Sequence, residues 1–257
     1  MKVLILCGGK GTRLREETDF KPKPMVTVGG IPILIHIMKI YAHYGFKDFV
    51  LCLGYKGDAI KDYFLTLSDY MSDFQYDFSN NKINYLSDRH HLDYTITFAN
   101  TGEDTLSGER ILTAATKYVQ DEQFMVTYGD GVSNINIPQL LEFHDKHSTD
   151  RVGTISGVHP VSKYGLLEYT DQYTLTQFQE KPHMKEYING GFMVFQHEAL
   201  QYMQPGEMLE DALKRMTEAG KLNVFLHDGF WHAMDTYKDY QDLNKQWEKD
   251  PQWKIWD

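Results

Sequence analysis

A chain of 257 residues, 42% of them hydrophobic, is long enough to bury a sizeable core, and its formal charge of −10 excludes a non-specific nucleic-acid binder, because an acidic surface repels the phosphate backbone at long range. No apolar stretch approaches the ~18 residues of a membrane span. The apolar run from Val3 to Leu6 is too short for a signal-peptide core, so a soluble, cytoplasmic protein with no membrane partner is expected.

Along the chain, Val3 to Cys7 is uniformly apolar and ends in glycine, the pattern of a strand buried on both faces of a parallel sheet. Pro32 opens a helical pattern (Leu34, Ile37, Met38, Tyr41) that closes near Gly45, and Phe49 to Leu53 returns as a second buried strand, completing a βαβ unit. Ser68 to Asp93 fits neither period and reads as an insertion or a subunit contact. Thr95 to Phe98, Phe124 to Tyr128, Val152 to Val158 and Met193 to Phe195 follow as strand candidates, with helical patterns at Glu109 to Tyr118 and Pro138 to His147. From Tyr164 the strand candidates crowd together (Gly165 to Tyr169, Leu175 to Gln179, Val224 to Phe230) around a helix at Glu207 to Ala219. This alternation predicts an α/β fold: an open sheet flanked by helices in one compact domain, with a nucleotide-binding half over 1–132 and an acceptor-binding half over 133–257.

The glycines Gly8-Gly9-Lys10-Gly11 directly after a buried strand let backbone N–H groups turn toward an anion. The loop is not the dinucleotide fingerprint, whose third glycine is replaced by Leu14, nor a Walker P-loop, which needs Gly-Lys-Ser/Thr. Alone, it reads as readily as a structural turn. Thr12-Arg13 and Lys21-Pro22-Lys23-Pro24-Met25 tip the balance, because flanking prolines hold Lys23 on an extended segment as a phosphate clamp. Lys10, Arg13, Arg15, Lys21 and Lys23 form a local basic cluster in an acidic chain, although Lys21 by itself reads as a solvated charge.

Asp130, in Tyr128-Gly129-Asp130-Gly131, ends an apolar strand, where an open α/β sheet lines its ligand crevice, and the glycines on both sides permit close approach of a substrate. Asp235, after another strand, could complete a two-carboxylate site suited to Mg²⁺, a hard cation that takes few protein ligands beside phosphate oxygens. Cys7 and Cys52 lie in apolar runs and read as free core thiols. Of eleven histidines, His90-His91 and the pair His144 and His147 show no zinc spacing and are expected on the solvated surface.

The chain resembles the sugar nucleotidyltransferase family at Gly8 to Leu14 and Lys23-Pro24-Met25, and then, in family order, at Gly129-Asp130-Gly131, Glu180-Lys181-Pro182, Asn189-Gly190-Gly191 and Met234-Asp235-Thr236. The resemblance implies a Rossmann-like mixed sheet of the nucleotide-diphospho-sugar transferase type. It also implies that Leu6, Gly8, Gly9, Gly11, Thr12 and Gly129 border the nucleotide, and that Arg13 and Lys23 act on its phosphates. Catalytic Asp130 would hold Mg²⁺ with Asp235, and Gly165, Glu180, Lys181 and Asn189 would surround the sugar phosphate. Lys21 departs from many relatives, which carry an apolar residue there.

Within the family, Glu16-Glu17-Thr18, the stretch from Thr101-Gly102 through Thr105 to Gly108-Glu109-Arg110, and Phe178-Gln179 before Glu180 are similar to the branch that joins CTP and α-D-glucose 1-phosphate into CDP-glucose for deoxysugar pathways. That similarity implies Thr105 and Arg110 beside the cytosine and a homo-oligomer, with a hexamer the form expected by resemblance. A phosphate acceptor already carries its anionic oxygen near neutral pH, so direct displacement at the nucleotide α-phosphorus calls for no protein nucleophile. Another sugar or alditol phosphate, another nucleotide such as UTP, and a non-catalytic nucleotide-sugar-binding paralogue stay open as alternatives. A dehydrogenase is disfavoured by the missing third glycine.

Overall fold

The computed structural model describes residues 1–87 and 92–256, so His90 and His91 lie outside the described residues. Seven strands, β1 (Val3–Cys7), β2 (Asp48–Leu53), β3 (Thr95–Asn100), β4 (Gln123–Tyr128), β5 (Gly153–Val158), β6 (Ile188–Gln196) and β7 (Leu222–His227), form one sheet in the order β7-β5-β6-β4-β1-β2-β3. All are parallel except β6, which runs antiparallel to both of its neighbours, β4 and β5. The fold is the expected α/β type, a mixed open sheet covered by helices on both faces.

Alternation along β1 and β2 divides the core. Val3, Ile5, Phe49 and Leu51 point to one face, under α1 (Ile33–His43), while Leu4, Val50 and Cys52 point to the other. Further along, α2 (Gly57–Tyr70) sends Ile60 to the first face, and α3 (Ser107–Tyr118) sends Ile111, Ala114 and Ala115 to the second. α4 (Ile137–His147) returns to the first face, α5 (Leu209–Glu218) to the second, and α6 (Tyr237–Lys249) to the first through Leu243. Burying each of these large aliphatic or aromatic side chains contributes about 1.5–3 kcal/mol. Both cysteines are free and buried, as expected.

The segment from Ser68 onward is the end of α2 followed by a hairpin, Phe74–Asp77 against Lys82–Tyr85, whose side chains are almost all exposed. Two expectations are corrected. β7 stops at His227, and a separate strand, Trp231–Ala233, pairs with Gly131–Ser133. His144 is fully buried rather than solvated: Nδ1 contacts Thr154 Oγ1 at 2.9 Å and Nε2 contacts the Gln196 amide at 3.0 Å, while His147 is exposed as expected. Among the described residues, no helix is long and apolar enough to cross a membrane.

The chain after α6 folds back over α1, where Trp253 is fully buried. Its indole N–H donates to His36 Nδ1 at 3.2 Å, so the imidazole proton resides on Nε2 and is donated to Val28 O at 2.9 Å. Trp247 packs edge-on against the same ring at 4.9 Å. Burial, with Lys39 nearby, lowers the His36 pKa from 6.5 to about 4. Protonation would also place a donor where Trp253 needs an acceptor. Because the unfolded chain binds this proton first, the stabilisation is complete above pH 6.5 and is lost as pH falls from 6.5 through about 4, as much as about 3 kcal/mol at the lower end. We therefore expect urea midpoints to drop between pH 7 and pH 4.5 and a His36→Phe variant to show a shallower drop. An equal drop in the variant would assign the acid sensitivity to other groups.

Candidate active site

The cleft lies where β1 and β4 end, at the carboxyl edge of the parallel strands, and encloses ≈ 550 Å³. β1 delivers Cys7 to the glycine loop. Gly11 adopts φ 63°, a left-handed conformation that glycine accepts without strain, and Gly8 leaves the space filled by the Arg110 guanidinium, with which any Cβ would overlap. The backbone N–H groups of Gly9, Lys10 and Gly11 have no acceptor among the described residues. Three unpaired donors on an accessible loop are the raw material of an anion cradle.

Lys23 reaches the cleft differently from the expected extended segment. Pro22 is extended, but Lys23–Met25 is a single 3₁₀ turn closed by Met25 N–H donating to Pro22 O at 2.8 Å. The turn directs the Lys23 ammonium onto both aspartates: Nζ donates to Asp130 Oδ2 at 2.5 Å and to Asp235 Oδ1 at 2.9 Å. Asp130 follows β4, and the strand pairing Ala233↔Gly131, with Met234 N–H donating to Asp130 O at 2.9 Å, brings Asp235 beside it. Arg13, largely exposed, adds a second cation at 3.1 Å from Asp235 Oδ1.

Burial alone would lower the Lys23 pKa, but the charges and hydrogen bonds of Asp130 and Asp235 outweigh it and hold the ammonium above its ordinary value. Burial likewise pushes Asp235 up, and Lys23, then Arg13 and Lys163, pull it below the usual carboxylate range. Both groups stay charged at neutral pH. Among the described residues no three His, Cys, Asp or Glu side chains converge as a metal cage. The donor set is two carboxylates sharing one cation, with Lys23 standing in the place of a bound ion, and it fits Mg²⁺, which completes its shell with phosphate and water oxygens.

The opposite wall is the loop from Glu103 to Leu106 and the start of α3. Thr105 lines it. Arg110 is 4% exposed, and its terminal nitrogens donate to the carbonyl oxygens of Leu53 (3.0 Å), Gly102 (2.6 Å), Glu103 (3.0 Å) and Gly8 (3.2 Å) and to Thr101 Oγ1 (2.8 Å). Burial pulls its pKa down from the ordinary arginine value. Arg110 thus braces the glycine loop against the Thr101–Thr105 stretch as well as lining the cleft. At the mouth, Lys10 pairs with Asp104 at 2.7 Å.

Leu6, Gly8, Gly9, Gly11, Thr12, Arg13, Lys23, Thr105, Arg110, Gly129, Asp130 and Asp235 therefore share one cleft. The residues expected around the sugar do not line it. Gly165, Glu180 and Lys181 are grouped with one another at the base of an exposed hairpin, Leu166–Tyr169 against Leu175–Gln179: a Cβ on Gly165 would lie 3.2 Å from Glu180 Oε2, and Glu180 pairs with Lys181 at 3.5 Å. Lys181 adopts φ 48°, in the left-handed region. Asn189 touches the cleft indirectly, its Nδ2 donating to the Tyr128 hydroxyl at 3.5 Å. Tyr128 and Met208 line the cleft without having been singled out. Tyr128 was visible as the neighbour of Gly129-Asp130, whereas nothing local to the sequence marks Met208.

A family model described as nucleotidyl transferase matches residues 2–250. Over the full length of both chains the protein is 43% identical to a Bacillus subtilis (strain 168) protein named probable glucose-1-phosphate cytidylyltransferase, and 38% identical to the glucose-1-phosphate cytidylyltransferase of Salmonella typhi. The solved structure of HddC from Yersinia pseudotuberculosis shares the fold with a TM-score of 0.65 and 22% identity, covering 96% of this chain and 99% of that one. With its glycine loop, Lys23 and paired aspartates in one cleft and this match along nearly its whole length, the chain belongs to the nucleotidyl transferase family.

Proposed function

We propose that the chain transfers a cytidylyl group from CTP to α-D-glucose 1-phosphate, releasing CDP-glucose and pyrophosphate. The observation that carries the reading is the end-to-end likeness to glucose-1-phosphate cytidylyltransferases, at 43% and 38% identity, in a chain whose cleft gathers unpaired loop N–H groups, the cations Arg13 and Lys23 and the carboxylates Asp130 and Asp235. Coarser than the choice of base and sugar, and better supported, is nucleotidyl transfer to a sugar phosphate. A non-catalytic paralogue is disfavoured by the convergence of Lys23, Asp130 and Asp235.

In this mechanism a phosphate oxygen of the sugar 1-phosphate attacks the α-phosphorus. The new O–P bond forms as the bond from the α-phosphorus to the bridging oxygen breaks, and that electron pair leaves with pyrophosphate. The acceptor is already largely dianionic at neutral pH, so no side chain must take a proton. The loop N–H groups and Arg13 receive the triphosphate, and Thr105 and Arg110 border the base. Lys23, turning from the aspartates to the phosphates, neutralises charge as the two anions meet. Asp130 and Asp235 would hold Mg²⁺, which when bound supplies charge neutralisation and orientation. Asn189, Glu180, Lys181 and Gly165 remain the proposed sugar-phosphate contacts, the last three requiring their hairpin to approach the cleft.

The same reading includes a homo-oligomer, a hexamer by likeness. Tyr70 (85% exposed), Phe78 (85%) and Leu86 (67%), in and beside the hairpin after α2, offer apolar surface of the kind that copies of a chain bury together.

Pyrophosphate release with a panel of nucleotides and sugar phosphates tests the substrate choice: CTP with glucose 1-phosphate should give the highest kcat/KM. Turnover of UTP or dTTP without CTP would sink the cytidylyl assignment and leave the family intact. Asp130→Asn should lose Mg²⁺-dependent turnover, and Lys23→Met should lower kcat by about 10²–10³-fold, both with unchanged circular dichroism. Near-normal rates would remove those residues from the mechanism. Light scattering on the purified chain should give a mass of several subunits; a monomer at micromolar concentration would overturn the oligomer.

A further inference from the structure

Tyr128 closes β4 beside Gly129 and Asp130, and its hydroxyl joins two parts of the molecule. It donates its single proton to Glu210 Oε1 at 2.8 Å and accepts from Asn189 Nδ2 at 3.5 Å. Asn189 is itself oriented by its Oδ1, which accepts from Gly191 N–H at 2.9 Å. Glu210 stands in the first turn of α5 and is exposed, so it does little for the core. The residues just before it grip the nucleotide wall: Gly108 N–H donates to Glu207 O at 3.1 Å, Leu209 N–H donates to Ser107 Oγ at 2.9 Å, and Met208 lines the cleft. One short stretch, 207–210, therefore holds the base side through its backbone and the Asn189 side through one carboxylate.

The polarity of this chain is what gives Glu210 a role. A phenol has one proton, and while Glu210 accepts it the oxygen lone pairs are left for Asn189. Without Glu210 the hydroxyl proton is free to turn toward Nδ2, donor against donor, and the amide is held only at its Oδ1 end by Gly191 N–H. With Glu210 in place, one Nδ2 proton is engaged by Tyr128 and the other remains for a ligand hydroxyl.

We propose that Glu210 is a positioning residue for the acceptor: through Tyr128 it orients Asn189 toward a sugar hydroxyl and ties that orientation to the wall of the nucleotide cleft. The proposal rests on the reading of Asn189 as a sugar-phosphate contact.

Steady-state kinetics of Glu210→Ala and Glu210→Gln test it, using the nucleotide and sugar 1-phosphate that the wild-type chain turns over fastest. In Glu210→Ala the KM for the sugar 1-phosphate should rise about tenfold, the scale of one lost charge-assisted hydrogen bond, while the KM for the nucleotide stays within about twofold and the melting temperature is unchanged. Glu210→Gln keeps an oxygen to accept the phenol proton and should return the acceptor KM to within about threefold of wild type. An unchanged acceptor KM in Glu210→Ala, an equal rise in both KM values, or a Gln variant no better than Ala would overturn the proposal. A wrong substrate assignment appears in the wild-type panel, whereas a wrong role for Glu210 appears only in the ratio of the two KM values.

Discussion

Two carboxylates that meet at the edge of a sheet repel one another, by about 4 kcal/mol at 4 Å in an effective dielectric of ~20, unless a cation stands between them. Here the cation is Lys23, donating to Asp130 and Asp235 at once, with Arg13 completing the charge balance. The rest of the site is arranged to make that contact. β4 carries Asp130 to the crevice, the pairing of Trp231–Ala233 with Gly131–Ser133 brings Asp235 alongside, and the 3₁₀ turn after Pro22 aims the ammonium. Lys23 and Arg13 balance the charges of Asp130 and Asp235. Under the proposed chemistry a divalent cation takes the carboxylates and an anionic triphosphate takes Lys23 and Arg13, so the two arrivals help each other: each accepts the partners that the other sets free.

Arg110 solves a different electrostatic problem. Its guanidinium is buried and, among the described residues, faces no carboxylate in hydrogen-bond range, so its desolvation is offset by four backbone carbonyls and a threonine hydroxyl. Two of those carbonyls, Gly8 O and Gly102 O, belong to loops on opposite sides of the cleft. A charge held by neutral dipoles acts as a brace rather than a switch, and Gly8 must be glycine to make room for it. The glycine loop is therefore fixed at Gly8 while its next three N–H groups stay unpaired, a rigid mount for an adaptable cradle.

The parts legible in the sequence were those whose physics is local. Val3 to Cys7, Phe49 to Leu53 and Phe124 to Tyr128 announced themselves as buried strands because both faces of the sheet are covered, and every residue expected to border the nucleotide lies in the cleft. His144 escaped because its burial depends on Thr154 and Gln196, partners on other strands that no helical period reveals. The clamp of Trp253 and Trp247 on His36 is equally nonlocal. Lys23 was recognised and its backbone was not: Pro24 biases the residue before it toward extended backbone, but a proline is also at home in the first turn of a helix, and here that second preference prevails in the 3₁₀ turn Lys23–Met25. Glu180 and Lys181 were assigned to the sugar phosphate by resemblance, and the exposed strands of their hairpin lie apart from the cleft.

The single antiparallel strand explains how one sheet serves two substrates. In a wholly parallel sheet each strand brings only its carboxyl end to the crevice, and the chain that precedes it lies at the far edge. β6 reverses this: its register sets Phe192 opposite Thr127, so the residues that begin it, Asn189 to Gly191, lie beside Tyr128 at the crevice. Gly191, at φ 81°, has no side chain to strike the Tyr128 ring, which lets the two strands approach at that point. The end of one strand and the start of its neighbour thus converge on the same phenol. Strand direction thus sets Asn189 beside the phenol that precedes Gly129 and Asp130, and under the proposed chemistry a carboxylate for the metal and an amide for the sugar would reach a common phosphate from adjacent strands.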